Sequence, residues 1–196
     1  QMYIETLIDE TKAQVQTGIN RMYLISSSMC RDVLAALENQ DAGLARAVYA
    51  MDDDVDHFSF FLLRLLRSAA VDSALANQLA LEPLDCLDYQ TLVHRIEQVA
   101  DQATNIARHL IMLEGRNKKI SKSLVERMYT AGNDALKSYD KAVNSLFSKD
   151  IASCDEIIES QTKIEKLDEE IASLAFLQEK NAQVICASCS IRDSIR

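Results

Sequence analysis

Four carboxylates stand out by their spacing. Asp52 and Asp56 are four residues apart with Asp53 and Asp54 between them, and Glu97 and Asp101 repeat the interval. In an α-helix such a pair shares one face, one turn apart. Each acid directly follows an apolar residue, namely Met51, Val55, Ile96 and Ala100. Both pairs are therefore expected at the margin of a buried stripe, where neighbouring helices meet. Like charges at this interval repel, and four of them converging between two helices would draw in a cation. Carboxylate oxygens are hard donors that suit magnesium, calcium, manganese or iron, and His94, one turn before Glu97, is placed to add a nitrogen. The same spacing also fits a solvated acidic face paired with Arg21, Arg64, Arg95 or Arg108.

Other chemistry is thin. The five cysteines, Cys30, Cys86, Cys154, Cys186 and Cys189, are odd in number and irregularly spaced, as in a reduced, cytosolic chain. Cys186 and Cys189 form one C-x-x-C, which lacks the second ligand pair a structural zinc needs. His94-x-x-Glu97 reverses the Glu-x-x-His order of ferritin-like di-iron enzymes, and there is no nucleophile–base set or glycine-rich phosphate loop. The chain reads as a non-enzyme.

The elements that must carry these residues are helices. Among 196 residues there are four glycines and one proline, and nearly half the chain is apolar, which favours long helices around a sizeable core. A net charge of -9 disfavours contact with a nucleic-acid backbone. No apolar run approaches the roughly 20 residues of a membrane span, Arg64 interrupting the best stretch, Phe58 to Leu66. No membrane insertion is expected, and any membrane association should come through a partner.

Six helical stretches are predicted. The first covers 3–38. The second, capped by Asp41, runs to Val71 on Val48, Met51, Val55, Phe58, Leu62 and Leu66, with at least one of Phe58, Phe60 and Phe61 off the stripe. After a short piece over 74–80, Pro83 opens a third that stops at Gly115. A fourth opens at 121–123 with Ser123 and Glu126 as a capping box and ends near Lys149. Asp150 caps a fifth, and a sixth starts near Asn181. A shift of 109 positions superposes Leu34, Leu37 and Asp41 on Val143, Leu146 and Asp150, and Val48, Val55, Asp56, Phe58 and Leu62 on Ile157, Ile164, Glu165, Leu167 and Ile171. This points to an internal repeat of a three-helix unit, packed as an antiparallel bundle.

Two runs carry a family resemblance. Met51-Asp52-Asp53-Asp54-Val55-Asp56 resembles the second-helix signature of a PhoU repeat, and Arg95-Ile96-Glu97-Gln98-Val99-Ala100-Asp101-Gln102-Ala103-Thr104-Asn105-Ile106-Ala107 resembles the third-helix signature with its E/D-x-x-x-D element. Pro83 to Tyr89 resembles the connector of an archaeal branch whose members often carry an AbrB-like DNA-binding domain ahead of this region. The resemblance implies an all-α fold of two tandem, pseudo-symmetric three-helix bundles, here 1–118 and 119–196, the second truncated in its last helix. It implies a metal site, iron or zinc in some members, at Asp52, Asp56, Glu97 and Asp101. It also implies a cytoplasmic, dimeric regulator of phosphate uptake that damps the phosphate ABC transporter and relays phosphate status to a signalling protein. PhoU-like domains also accompany ion channels and sodium–phosphate cotransporters, and a structural helical adaptor is the remaining alternative. In the second repeat Gln161 stands where Asp52 would be, although Glu165 and Glu169 keep an acidic pair.

Overall fold

The computed structural model describes residues 15–148, 150 and 152–196, all its regular elements being α-helices. They are α1 (Val15–Asn39), α2 (Ala42–Ala50), α3 (Asp52–Val71), α4 (Ser73–Gln78), α5 (Pro83–Gly115), α6 (Lys122–Ser148), α7 (Ala152–Gln178) and α8 (Ala182–Ile195). The expected start of the first helix at Tyr3 lies outside the described residues.

Two compact units can be separated. One is the described part of Gln1–Ser26 with Asp53–Gln98; the other is the described part of Ser27–Asp52 with Val99–Arg196. In the first, α1, α3 and the opening half of α5 bury Ile19, Met22, Val55, Leu62, Leu66, Val93 and Ile96. Gly18 lets α1 approach α3 closely, since a Cβ there would stand 2.9 Å from Leu62 Cδ2. The Arg21 guanidinium lies 5.2 Å from the centre of the Phe58 ring, and Phe60 is the exposed member of the phenylalanine trio.

In the second unit α6, α7 and α8 pack on one another. The core gathers Met29, Val33, Leu37, Ile106, Leu110, Leu124, Met128, Ile171 and Ile191. Each such side chain withdrawn from water contributes about 1.5–3 kcal/mol against the entropy of ordering the chain. Gly132 carries the closest approach: a Cβ there would lie 2.3 Å from Leu34 Cδ2. Ser27 Oγ donates to Asp140 Oδ1 at 2.8 Å, and Arg31 donates to Ser27 Oγ at 2.9 Å, a polar seam between α1 and α6.

The helix starts follow short polar side chains. Asp41 accepts from the Gly43 and Leu44 N–H groups, Asp72 from those of Ala74 and Leu75, and Asn181 from those of Gln183 and Val184. Asp150 accepts from the Ala152 N–H and the Ser153 hydroxyl. The structure differs from the sequence expectation in three places. The second helix is two, α2 and α3, broken at Met51. The reason is the run Asp52–Asp54, because aspartate is weak inside a helix but stabilising in a first turn. Ser123 forms no capping box: its hydroxyl reaches Gln178, and α6 starts on the Ser121 carbonyl. Gly115 is the last residue of α5, as expected, but it is not the left-handed residue of that stop. Asn117 is, at φ 52°, with Lys118 N–H bonded to Leu113 O and Asn117 N–H to Glu114 O. Gln40 and Ala80 close α1 and α4 with the same pair of bonds and φ of 50° and 52°.

Candidate metal centre

Asp52 is the first residue of α3, and Asp56 follows it by one turn on the same helix. Asp101 lies in α5. One carboxylate oxygen from each of the three lies within 4.8 Å of the others, Asp52 half-buried and Asp56 and Asp101 exposed. Among the described residues no other group of three potential ligands meets this spacing.

Asp52 is held in place. Thr104 Oγ1, one turn beyond Asp101 and almost fully buried, donates to Asp52 Oδ1 at 2.9 Å. That bond selects one carboxylate rotamer and leaves the second oxygen open to a further donor or cation. The sequence reading passed over Thr104. A hydroxyl three residues after Asp101, in a row of apolar core positions, was the available signal.

Glu97 is not part of the three-carboxylate group. Its Oε2 lies 3.6 Å from His94 Nδ1 on the same helix, and both side chains are partly exposed. The expected nitrogen donor is thus beside Glu97. Arg95 donates to Gln98, three residues on, and Arg108 to Asn105, three residues back. In α7 Gln161, Glu165 and Glu169 are all exposed. His109 is half-buried, and burial, then the Arg108 charge, pushes its imidazole below the usual histidine range, so it is neutral at pH 7.

The donor set fits a hard cation. Two oxygens bound to one ion at roughly 2.0–2.6 Å stand at most about 4–5 Å apart, which the 4.8 Å limit on this group allows. With no sulfur and no nitrogen within the group, its chemistry favours magnesium, calcium, manganese or iron over a structural zinc.

Comparison with known proteins shows what this helical fold and the segment holding the acidic group resemble. Residues 19–110, which contain all four acids, match the family model described as the PhoU domain. The fold is similar to the crystal structure of PhoU from Pseudomonas aeruginosa, with TM-score 0.76 and 16% identity over 92% of this chain and 86% of that one. It is also similar to the phosphate transport system regulatory protein PhoU from Streptococcus pneumoniae, with TM-score 0.71 and 13% identity over 92% and 87%. No curated protein sequence matches the chain. Residues 19–110 are thus similar to the PhoU domain, and the chain has an all-α fold similar to that of the two PhoU structures. No helix among the described residues is long and apolar enough to cross a membrane.

Proposed function

We propose that this chain is a PhoU-type regulator of phosphate uptake, a helical scaffold that damps a phosphate ABC transporter and takes part in phosphate signalling. In this reading it works in the cytoplasm, as a dimer, and catalyses no reaction. Its two repeats are 1–118 and 119–196. The observation that carries the proposal is a coincidence: Asp52, Asp56 and Asp101 gather their oxygens within the segment that matches the PhoU domain.

Asp52, Asp56 and Asp101 would hold the metal, iron among the candidates, and Glu97 would complete the acidic face one turn before Asp101. A bound cation would supply the positive charge that offsets their repulsion. The chain's own contribution is to fix the donors: Thr104 orients Asp52, and the α3 helix sets the interval from Asp52 to Asp56.

The test is metal content by elemental mass spectrometry, wild type beside a variant with alanine at Asp52, Asp56, Glu97 and Asp101, together with phosphate uptake in cells carrying either. Stoichiometric metal lost in the variant, with uptake no longer damped, is the expected result. Unchanged metal content and unchanged uptake would refute it.

A further inference from the structure

The chain is acidic overall, yet one turn is strongly basic. Between Gly115 and Lys122 there are four cations and no acid: Arg116, Lys118, Lys119 and Lys122. All four are exposed, and Arg116, Lys118 and Lys119 have no ion-pair partner among the described residues, whereas Lys122 lies 3.8 Å from Glu126. Arg46, the nearest cation of α2, is spent on Glu114.

This turn is held from two sides. Gln40, at the end of α1, both donates to and accepts from the Ile120 backbone, at 3.0 and 2.9 Å. Glu179, just past the end of α7, accepts from the Ser121 N–H at 2.8 Å, and Gln178 accepts from the Ser123 hydroxyl. The last turn of α7 is therefore beside the basic turn. Two large apolar side chains protrude there, Phe176 at 67% exposure and Leu177 at 83%. They are consecutive and so cannot share one helix face with the core. The core position of that turn is Ala175, which is buried.

Unpaired cations around a protruding aromatic and aliphatic pair fit one kind of partner well. Lysine and arginine meet lipid phosphates, and the apolar pair enters the boundary between headgroups and acyl chains. An acidic protein segment would use the cations but would leave Phe176 and Leu177 without a role. We propose that the end of the second unit formed by the α5–α6 turn and the last turn of α7 binds an anionic phospholipid surface directly. This is peripheral adsorption, independent of whether the carboxylates of α3 and α5 hold a metal. It brings the chain to the bilayer without a carrier, which the sequence alone did not suggest.

The experiment is co-sedimentation of the 196-residue chain with phosphatidylcholine vesicles, with and without phosphatidylglycerol. Two variants are compared, R116S/K118S/K119S and F176S/L177S, each checked for folding by circular dichroism. Binding is expected only to the anionic vesicles and should weaken at high salt. Each cation removed should cost about fivefold, so the triple variant falls about a hundredfold. The apolar variant should also bind measurably less, with its charge unchanged. Failure to pellet with anionic vesicles, or equal pelleting with neutral ones, would overturn the proposal. So would a normal result for F176S/L177S beside a charge-dependent affinity for polyglutamate, which would assign the turn to an acidic protein segment.

Discussion

Replacing Asp52 with asparagine separates a metal-holding carboxylate group from a solvated face, because the two readings give opposite signs in two buffers. Asparagine keeps an acceptor oxygen for the Thr104 hydroxyl, so the bond that positions residue 52 survives. What changes is charge. Asp52 has two carboxylate neighbours, Asp56 and Asp101, with ligand atoms no more than 4.8 Å away. At that distance a pair of like charges in water repels by about 0.9 kcal/mol, so two pairs cost about 1.7 kcal/mol. Against this, a negative charge on the first turn of α3 gains about 0.3–1 kcal/mol from the helix dipole. The repulsion wins, and D52N should be more stable than wild type by about 1 kcal/mol in chelator. For a chain of this size that raises the melting temperature by about 2–4 °C, and the gain should shrink in high salt.

Adding metal reverses the order. A ligand at a hundred times its dissociation constant stabilises wild type by about 2.7 kcal/mol, or roughly 5–11 °C. The variant has lost a donor and should gain far less. The assay is thermal unfolding of both proteins in chelator and then across a titration of manganese or ferrous iron. If D52N is the less stable protein in chelator, or wild type does not respond to any hard divalent cation, the acids are ordinary surface charges and hold no metal.

Three further outcomes can be read from the second unit. Gly132→Val should destabilise by about 2 kcal/mol, since its side chain would collide with buried Leu34; adding Leu34→Ala should recover part of the lost melting temperature. The Lys163 ammonium lies 2.6 Å from Asp134 Oδ2, and that contact, outweighing the cost of burial, holds the carboxyl below its ordinary value. A depressed carboxyl stabilises the fold above its unfolded pKa and loses that contribution as pH falls through the folded value. Asp134→Asn should therefore cost up to about 1 kcal/mol at pH 7 and nothing in strong acid, as read by denaturant titration at both pH values. Burial, then the nearby Asp140 charge, pushes the Cys30 thiol up to about 12, with Arg31 acting the other way. Exposed Cys186 should be alkylated by iodoacetamide at pH 8 while Cys30 stays unmodified until the chain is denatured, as read by peptide mass spectrometry.

The parts of the fold legible in the sequence are those whose cause is local. The caps at Asp41, Asp150 and Asn181 each depend on one side chain meeting the next two or three N–H groups, so residue type alone announces them. The stripe of α5 was readable because Val93, Ile96, Ala100, Ala103, Leu110 and Leu113 keep a helical interval over about six turns and are all buried. Helix ends were harder. Stops are usually announced by glycine, but here Gln40, Ala80 and Asn117 take the left-handed position, and none of them stands out from its neighbours. The break at Met51 was hidden for a related reason: Val48, Met51 and Val55 keep the helical interval straight across it, although Val48 and Val55 are buried and Met51 is not.

The site was legible to the same depth. Spacing places two acids on one face of α3 and two on one face of α5, and that is all a period can say. Which oxygens converge is fixed by how each helix is turned about its axis, a property of the whole core. Thus Asp101 joins Asp52 and Asp56 while Glu97, one turn away, sits beside His94. Total charge misleads in a similar way. A value of -9 argues against an anionic partner only if charge is spread evenly, and a surface responds to the charge it faces. Gln40 and Glu179 fasten a turn carrying Arg116, Lys118 and Lys119 beside Phe176 and Leu177. Gln40 and Ile120 are 80 residues apart in the chain, Ser121 and Glu179 are 58 apart, and no window of the sequence holds both the cations and the apolar pair. The acidic group and the basic turn are thus features of different origin, the first written into helical spacing and the second assembled only by folding. They make separable predictions: removing the acids should change metal binding and leave vesicle binding intact, and removing the basic turn should do the reverse.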